Sequence, residues 1–171
     1  MVCFWRDDGT RRARLRDGTV VTLRPIRRTD VGALRTFFRG LSAESRYLRF
    51  HASVTDLSEA QWDYLVSADG WNHVAVVAWI ESAVVGVGRF IRLAHSPEKA
   101  EVAFAVADAF QRRGLGSLLR DKLAAAARRS GIRSFRAEVL AENRGIRRLL
   151  RKSSLKVVFN AGDASDVAFD G

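Results

Sequence analysis

The 171-residue sequence predicts an α/β (α+β) fold, in which helices flank a mixed, mostly antiparallel sheet of about seven strands. Two observations predict it. The apolar residues first recur at helical spacing, and from residue 73 they form near-continuous valine-rich runs that are typical of buried strands. A further run, residues 100–106, leads directly into another helix-spaced pattern.

The N-terminal part of the chain is predicted to hold one hairpin followed by three helices. Asp17-Gly18 is a strong turn signal between the two alternating segments of residues 12–26. Each of the three helices begins at a residue whose hydroxyl can accept a hydrogen bond from the free amides of the first turn. These capping residues are Thr29, Ser42 and Ser58.

The C-terminal part is predicted to alternate strands with helices. Residues 73–80 and 84–91 are separated by three residues and therefore pair as a hairpin of buried strands. One helix runs from Gly114 to Gly131, and Asn143 caps the next one. The remaining predicted strands are residues 100–106, residues 134–140 and two short strands around Ala161-Gly162.

The length and composition are those of one globular domain, which we place over residues 1–171 with a flexible N-terminal extension at residues 1–11. The single cysteine, Cys3, excludes an intramolecular disulfide and a cysteine-based zinc site. The three histidines have no ligand spacing, so we expect no metal. The opening lacks the apolar core of a secretory signal, and the longest apolar run, Val74–Ile80, is too short to cross a bilayer. We therefore expect a cytoplasmic protein that does not contact membranes.

The charge is strongly basic, with 29 Lys and Arg against 19 Asp and Glu and a net charge of +10. Such a surface attracts polyanions, whether nucleic acid, a phosphorylated cofactor or an acidic protein, although arginine-rich composition alone also explains it. Binding of nucleic acid would need aromatic residues interleaved with the basic ones. Only the short stretches "FWR" and "RYLRF" show this pattern, so we expect no specific nucleic-acid partner.

The joint at residues 111–116, between a predicted strand and the helix after it, is the most informative segment of the chain. A helix N-terminus has unpaired amides and a partial positive charge, which favour a phosphate. Gly114 and Gly116 allow a sharp turn, and a Cβ at either position is expected to block a phosphate from the amides. The joint therefore suits a pyrophosphate, although an ordinary turn explains it equally well. The joint is not a P-loop, because no Gly-Lys-Ser/Thr follows at the required spacing. A Rossmann fingerprint would need a third glycine at position 119, where this chain has Leu119.

The same joint, with the sequence "QRRGLG", matches the Q/R-x-x-G-x-G/A signature of the GNAT N-acetyltransferase superfamily, which this sequence resembles over about residues 12–160. The resemblance is closer still to the acetyltransferase domain of bacterial Pat-type protein lysine acetyltransferases. Four stretches carry it: "VTLRPIRRTDVGALRTFF", "LSAESRYLRF", "AEVAFAVADAFQRRGLG" and "AENRGIRRLLRKSSL". The resemblance implies the GNAT fold and an acyltransferase activity.

The resemblance also implies a donor, an acceptor and a set of residues that bind the donor. Acetyl-CoA would be the co-substrate, and an amine, first of all a lysine of an acidic-surfaced protein, would be the acceptor. The pantetheine arm would pair with the strand at residues 104–106, the pyrophosphate would lie on the amides of residues 112–116, and the helix start near residue 143 would contact the donor arm. The implied donor-binding residues are Phe104, Ala105, Val106, Gln111, Arg112, Arg113, Gly114, Leu115, Gly116, Ser117 and Asn143.

Glu101 is the candidate general base. A lysine amine has a reference pKa near 10.4 and arrives charged, so a base must take its proton directly or through one water. Glu101 lies between Ala100 and Val102 on an apolar strand, so we expect its carboxylate to be buried, which would make it a better proton acceptor. In the resembling family an acid on this strand has that role. The alternative is that Glu101 faces solvent or pairs with an arginine.

Two positions depart from the pattern of the resembling family. Leu150 stands where many GNAT enzymes have a tyrosine that acts as general acid, and Ser153-Ser154-Leu155 stands where the family usually has Leu-Gly-Phe. These departures leave open a degenerate domain that binds acyl-CoA as a sensor. An acetyltransferase for a small-molecule amine is a further alternative, which the net positive charge disfavours for polycationic acceptors.

Overall fold

Eight strands lie side by side in sequence order and form one sheet in the computed structural model, which describes residues 9–160 and 167–169. The strands are β1 (Arg11–Arg14), β2 (Val20–Pro25), β3 (His73–Ile80), β4 (Ala83–Leu93), β5 (Ser96–Val106), β6 (Ser134–Glu138), β7 (Lys156–Asn160) and β8 (Val167–Phe169). Neighbouring strands are antiparallel except that β6 is parallel to both β5 and β7. The sheet is therefore mixed and mostly antiparallel, as predicted.

Five α-helices pack against the sheet within the described residues. They are α1 (Val31–Gly40), α2 (Ala43–Phe50), α3 (Glu59–Val66), α4 (Leu115–Arg129) and α5 (Arg144–Arg151). Buried residues of α1 and α3 form one hydrophobic cluster with the sheet, and α4 and α5 contribute to another. The helices thus cover both faces, which places α4 and α5 opposite the helices that precede β3.

The central strands supply both cores, which explains why their sequences are apolar almost without interruption. Val102 and Phe104 of β5 are buried in the cluster that contains α4. Ala75 and Val77 of β3 are buried in the cluster that contains α1 and α3. Because successive side chains of a strand point to opposite faces, a strand between two helical layers must be apolar on both.

The predicted order of elements is confirmed by the structure. Ser42 and Ser58 cap α2 and α3 as predicted, and Ser58 forms a reciprocal capping box with Gln61. The predicted N-terminal extension lies outside the described residues except for residues 9–11, and so does Ala161-Gly162 between the last two strands.

The prediction that Thr29 caps the first helix is wrong. Thr29 lies inside a short 3-10 turn, and α1 begins only at Val31. Asp30 takes the organising role, because its carboxylate accepts hydrogen bonds from both terminal nitrogens of Arg24 at 2.7 Å and from the Arg27 amide at 2.7 Å. Burial acts to raise the pKa of Asp30, but the hydrogen bonds from Arg24 and Arg27 outweigh it and lower the pKa.

The pairing of β5 with β6 is short, and this gives the sheet its functional shape. Residues 99–101 pair with residues 134–136, and beyond Glu101 the two strands separate. β5 continues to Val106 while pairing only with β4, and β6 continues to Glu138 while pairing only with β7. Beyond Glu101, then, the edge of β5 that faces β6 has no strand partner in the described chain, and a wedge opens in the middle of the sheet.

The buried ion pair between Asp30 and Arg24 gives a prediction about stability. Asp30→Asn should lower the free energy of unfolding at pH 7 by about 3 kcal/mol, because it leaves the Arg24 guanidinium without its counter-charge. A carboxylate whose pKa is lowered by folding contributes stability above its unfolded pKa, and that contribution is lost as the pH falls through the folded pKa. The difference between the two proteins in urea unfolding should therefore shrink as the pH is lowered from 7 towards 2.

Glu59→Gln is the matched control, because it removes an exposed ion pair with Arg35. It should cost less than about 1 kcal/mol. Equal losses of stability in Asp30→Asn and Glu59→Gln would contradict the structural role given to Asp30.

Candidate functional site

The wedge between β5 and β6 opens into a cleft of about 690 Å³. Its walls come from the free end of β5, the end of β6, α2, and the first turns of α4 and α5. Nine of the eleven predicted donor-binding residues line this cleft: Phe104, Ala105, Val106, Gln111, Arg112, Gly114, Gly116, Ser117 and Asn143. Arg113, Leu115 and the predicted base Glu101 do not line it.

The unpaired edge of β5 forms one wall of the cleft. Every residue from Val102 to Val106 lines it, and so does Val139 after the end of β6. The backbone amides and carbonyls along a strand edge are obligatory hydrogen-bonding groups, and an extended ligand can pair with them as an added strand would. This wall therefore suits a long, narrow ligand that carries amide groups of its own.

The joint at residues 111–116 forms one end of the cleft, where α4 begins. Gly114 is the N-cap of α4 with φ of 95°, a left-handed conformation that favours glycine. The amides of the first helical residues, from Leu115 to Ser117, have no carbonyl partner within the helix. The buried side chain of Leu115 holds this helix start in the core while leaving its amide available. These amides, with the positive end of the helix dipole, form a site for an anion.

Three hydrogen bonds fix the joint in place. The side-chain nitrogen of Gln111 donates to the Val106 carbonyl at 3.2 Å and to Ser45 Oγ at 3.1 Å. The Arg16 amide donates to the Arg113 carbonyl at 3.0 Å. The joint is thus tied to β5, to α2 and to the turn between β1 and β2.

The joint also approaches α2 through Asp108. The Asp108 carboxylate accepts hydrogen bonds from the Ser42 amide at 3.0 Å, from Ser42 Oγ at 2.8 Å and from Ser45 Oγ at 2.7 Å. Partial burial acts to raise the pKa of Asp108, and the hydrogen bonds from Ser42 and Ser45 outweigh it and lower the pKa. Asp108 therefore docks the start of α2 against the joint, so that α2 becomes a wall of the cleft.

Arg113 differs from the sequence-based expectation, and Arg16 takes its place in the cleft. Arg113 Nη1 donates to the Asp17 carboxylate at 2.8 Å, and its guanidinium lies over the Phe110 ring, 5.3 Å from the centroid. The side chain of Arg16 lines the cleft, and a Cβ added at Gly114 would lie 3.5 Å from Arg16 Cγ. Sequence reasoning missed Arg16 because only the hairpin turn brings it to the joint.

Gly116 lines the cleft, and the expectation that a Cβ there would block a phosphate from the amides stays a prediction. A Cβ added there would lie 3.1 Å from Leu149 Cδ2 of α5. Gly116 therefore permits the close packing of α4 against α5, a role that the sequence analysis did not predict. A substitution at Gly116 acts through this helix packing, so it is a poor probe of ligand binding.

The cleft is strongly cationic. Three acidic residues line it, namely Glu44, Asp108 and Glu138. Seven basic residues line it, namely Arg16, Arg49, Arg112, Arg120, Arg144, Arg148 and Lys152. A cleft with one sign of charge raises the local concentration of ligands of the opposite sign. The basic residues on α5 could have been found from the sequence, because they form the polar face of a predicted helix that starts at the cleft.

The expectation that Glu101 is buried is wrong. Ala100 and Val102 point into the core, whereas Glu101 is exposed on the opposite face of β5. It lies beside Ile91 of β4 and Arg136 of β6, at the last paired position before the wedge opens. Its carboxylate is therefore available to solvent and to a ligand that enters from the side of α1–α3.

Glu138 is a second carboxylate at the wedge. It lies two residues after Arg136, so it shares the face of Glu101, and it lines the cleft. Its Oε1 lies 3.6 Å from Arg136 Nη2. Sequence reasoning missed Glu138 as a residue of the site, because nothing in the chain order brings it beside β5.

The start of α5 closes the cleft on the far side. Asn143 Oδ1 accepts a hydrogen bond from the Ile146 amide at 3.2 Å and so caps the helix, which leaves its side-chain amide group to donate to a ligand. Leu150 stands at the position where many GNAT enzymes have a tyrosine that acts as general acid. It is 1% exposed and contributes to the core as well as to the cleft wall. The protonation of a leaving group cannot come from this position.

Within residues 9–160 and 167–169, no cluster of three His, Cys, Asp or Glu side chains is arranged to hold a metal ion. Over the same residues, no helix has the length and apolar content needed to span a membrane.

The family comparison agrees with the fold and the cleft. Residues 36–154 match the model of the acetyltransferase (GNAT) family. The chain therefore belongs to the GNAT acetyltransferase family, whose members use acetyl-CoA as the acyl donor, and it is an acyltransferase enzyme.

Two relatives and one solved structure resemble the chain, and one of the relatives and the solved structure are named Pat. Acetyltransferase Pat of Mycolicibacterium smegmatis is 35% identical over 141 residues, which are 80% of this chain and 41% of that protein. Acetyltransferase PA5475 of Pseudomonas aeruginosa is 33% identical over 79% of this chain and 74% of that protein. The GNAT domain of S. lividans PAT superposes with a TM-score of 0.84 at 32% identity and covers 93% of this chain and 94% of that domain. The chain thus spans about two fifths of the Mycolicibacterium relative.

The position of Arg16 gives a prediction about binding of the donor. Arg16→Ala should weaken acetyl-CoA binding by about tenfold or more, because a charge-assisted hydrogen bond to phosphate contributes about 1.5–3 kcal/mol. Calorimetric titration measures the affinity. Arg12→Ala removes the same charge from an exposed position of β1 that does not line the cleft, and it should change the affinity by less than about threefold. Equal affinities of the two variants would remove Arg16 from the donor site.

Proposed function

We propose that this chain is an acetyl-CoA-dependent N-acetyltransferase whose acceptor is a primary amine, namely a lysine of a protein with an acidic surface. The observation that carries the proposal is the wedge between β5 and β6, because it combines a free strand edge with a helix N-terminus at its end. We further propose that residues 1–171 form one such domain and that it works in the cytoplasm.

The donor site follows from the chemistry of each part of acetyl-CoA. The amides of the pantetheine arm would pair with the free edge of β5 at Phe104, Ala105 and Val106, and with the Asn143 side chain. The pyrophosphate would accept hydrogen bonds from the amides at the start of α4, supported by Arg16 and Arg112. Glycine at position 114 keeps the turn open, and Gln111 holds the loop against β5.

The reacting thioester would then lie where β5 and β6 separate, beside the face that carries Glu101. The amine of the acceptor must lose a proton to attack the carbonyl carbon. In the transfer, the C–N bond forms, the C–S bond breaks and the CoA thiolate leaves. Because Leu150 cannot donate a proton, the thiolate would take one from water.

Glu101 is the proposed proton acceptor, directly or through one water. Its exposure at the opening of the wedge suits a route through water, because solvent can relay the proton from the amine to the carboxylate. Glu138 is the competing candidate, since it lines the cleft on the same face. Replacement of each carboxylate in turn shows which of the two accepts the proton.

The protein-lysine acceptor is supported by the similarity to enzymes named Pat and by the charge of the chain. The net charge of +10 favours encounter with an acidic surface and disfavours a polycationic small molecule. Turnover with an acidic-surfaced protein and not with small amines supports this acceptor class. Tight donor binding without turnover on any amine would instead support an acyl-CoA sensor.

Replacement of the two carboxylates gives a prediction about catalysis. Glu101→Gln keeps the size of the side chain and removes the proton acceptor, so kcat should fall by roughly 10²–10⁴. The affinity for acetyl-CoA should barely change, because the phosphates bind at the start of α4. Thiol release from acetyl-CoA is measured from pH 6 to 10, and the rate of the wild type should rise with pH as the acceptor amine loses its proton.

Glu98→Gln is the matched control on the same strand, since Glu98 is exposed and precedes the segment that pairs with β6. It should leave kcat within about threefold of the wild type, the range expected of a surface change. A large loss in Glu138→Gln together with a normal rate in Glu101→Gln would contradict the assignment and make Glu138 the base.

A further inference from the structure

A second, smaller cavity lies beside the cleft, on the face of the sheet that α1–α3 cover. Its volume is about 40 Å³, and its walls are mostly aliphatic and aromatic. Two arginines, Arg49 and Arg89, also line it. Arg49, Leu41, Ala103 and Ala105 line both this cavity and the cleft, so the cavity adjoins the point where β5 separates from β6.

Arg89 is a buried cation that has no counter-charge among the described residues. It lies on β4 between Ala75 and Ala103 of the neighbouring strands and is 7% exposed. Its Nη2 donates to the Leu65 carbonyl at 3.3 Å, and no described aspartate or glutamate forms an ion pair with it. Burial, and then the nearby charge of Arg49, lower the pKa of Arg89 to about 9, so it stays charged at neutral pH.

The other ionisable groups around Arg89 do not neutralise it. His73 has its pKa lowered by burial and then by the charge of Arg89, so its imidazole is neutral at pH 7. Tyr64 stacks on His73 with ring centroids 5.2 Å apart and acts to raise the pKa of Arg89, but burial and the charge of Arg49 outweigh this effect. Arg89 therefore keeps an uncompensated positive charge next to the cavity.

Arg49 adds a second cation to the same cavity. It belongs to the last turn of α2, is half-buried, and lies over the Phe50 ring with 4.9 Å between its Cζ and the centroid. Burial lowers the pKa of Arg49, and the charge of Glu101 opposes this effect. No described carboxylate lies within ion-pair distance of Arg49 either, although Glu101 is near enough to act on its charge.

Two desolvated guanidinium groups that share a cavity are unfavourable unless an anion joins them. A buried charge costs several kcal/mol when it is unpaired, and two like charges repel each other. The fork of N–H donors on a guanidinium matches a carboxylate in particular, which it can bind through two hydrogen bonds. A volume of about 40 Å³ exceeds the space that one water molecule needs and accommodates a carboxylate group.

We propose that Arg49 and Arg89 form a carboxylate-binding subsite next to the point of acyl transfer. This inference deepens the proposed function and rests on it for the position of the thioester. The carboxylate has two chemical sources. It belongs either to the acceptor, close to its amine, or to the far end of a dicarboxylic acyl group carried by CoA.

The subsite is tested first without turnover, with succinate as the probe. Millimolar succinate should raise the Tm of the wild type, because a ligand that binds only the folded state stabilises it. The rise should be lost in Arg89→Gln and in Arg49→Gln. It should persist in Arg133→Gln, which removes an exposed arginine before β6, at the end of the sheet away from the wedge.

The stability of the unliganded variants adds a second readout. Arg89→Gln should leave the Tm unchanged or higher, because it removes an unpaired buried charge. Arg92→Gln, on the same strand, should lower it, because Arg92 donates to Asn72 Oδ1 at 2.8 Å and to the Ser130 carbonyl at 2.6 Å. If Arg89→Gln lowers the Tm as much as Arg92→Gln does, Arg89 is structural and the subsite is wrong.

Two further measurements identify the source of the carboxylate. At least tenfold tighter binding of succinyl-CoA than of acetyl-CoA, lost in Arg89→Gln, assigns the carboxylate to the acyl group. At least tenfold higher kcat/KM for the peptide Nα-acetyl-Glu-Lys amide than for Nα-acetyl-Gln-Lys amide, lost in the same variant, assigns it to the acceptor. The absence of a succinate effect on Tm, together with the absence of both preferences, would overturn the proposal. Acetyl-CoA affinity is measured alongside, and a failure to bind acetyl-CoA would count against the proposed function alone.

Discussion

The function of this fold depends on the early end of the pairing between β5 and β6. Three residues on each strand pair, and past Glu101 the strands separate while each keeps its other neighbour. A continuous sheet would use these backbone groups for itself. The separation instead leaves a strand edge free in the middle of the molecule, where the two helical layers shield it. The cleft opens at this separation, and the small cavity adjoins it.

The elements around the wedge are held at fixed distances by polar contacts that connect them to the joint at residues 111–116. Gln111 bonds to β5, Asp108 docks the start of α2, and the Arg113 carbonyl accepts from the β1–β2 turn. The joint thus has two structural roles, since it begins α4 and it also positions the walls that face it. The positive charge of the cleft comes from these same walls, because α2, α4, α5 and the β1–β2 turn each contribute arginines to it.

The sequence predicted the elements of the fold and most of the donor site, because both are encoded locally. Apolar periodicity, capping residues and the glycines of the joint are each visible within a few neighbouring positions. The burial of Glu101 was predicted wrongly because a strand that is apolar on both faces does not show how far along it the covering helices reach. Arg16, Arg89 and Glu138 were missed because strand register and a hairpin turn bring them to the site from distant positions in the chain.

If the free edge of β5 receives the donor arm, acetyl-CoA must protect the amides of this edge, and hydrogen exchange measures that protection directly. Exchange is followed by mass spectrometry with and without acetyl-CoA, on peptides that cover residues 102–106 and 115–118. We expect slower exchange in both segments when acetyl-CoA is bound, because the first pairs with the arm and the second binds the pyrophosphate. Exchange in β2, which lies away from the wedge, should stay unchanged. Tight binding of acetyl-CoA with unchanged exchange at residues 102–106 would show that the arm does not bind at this edge.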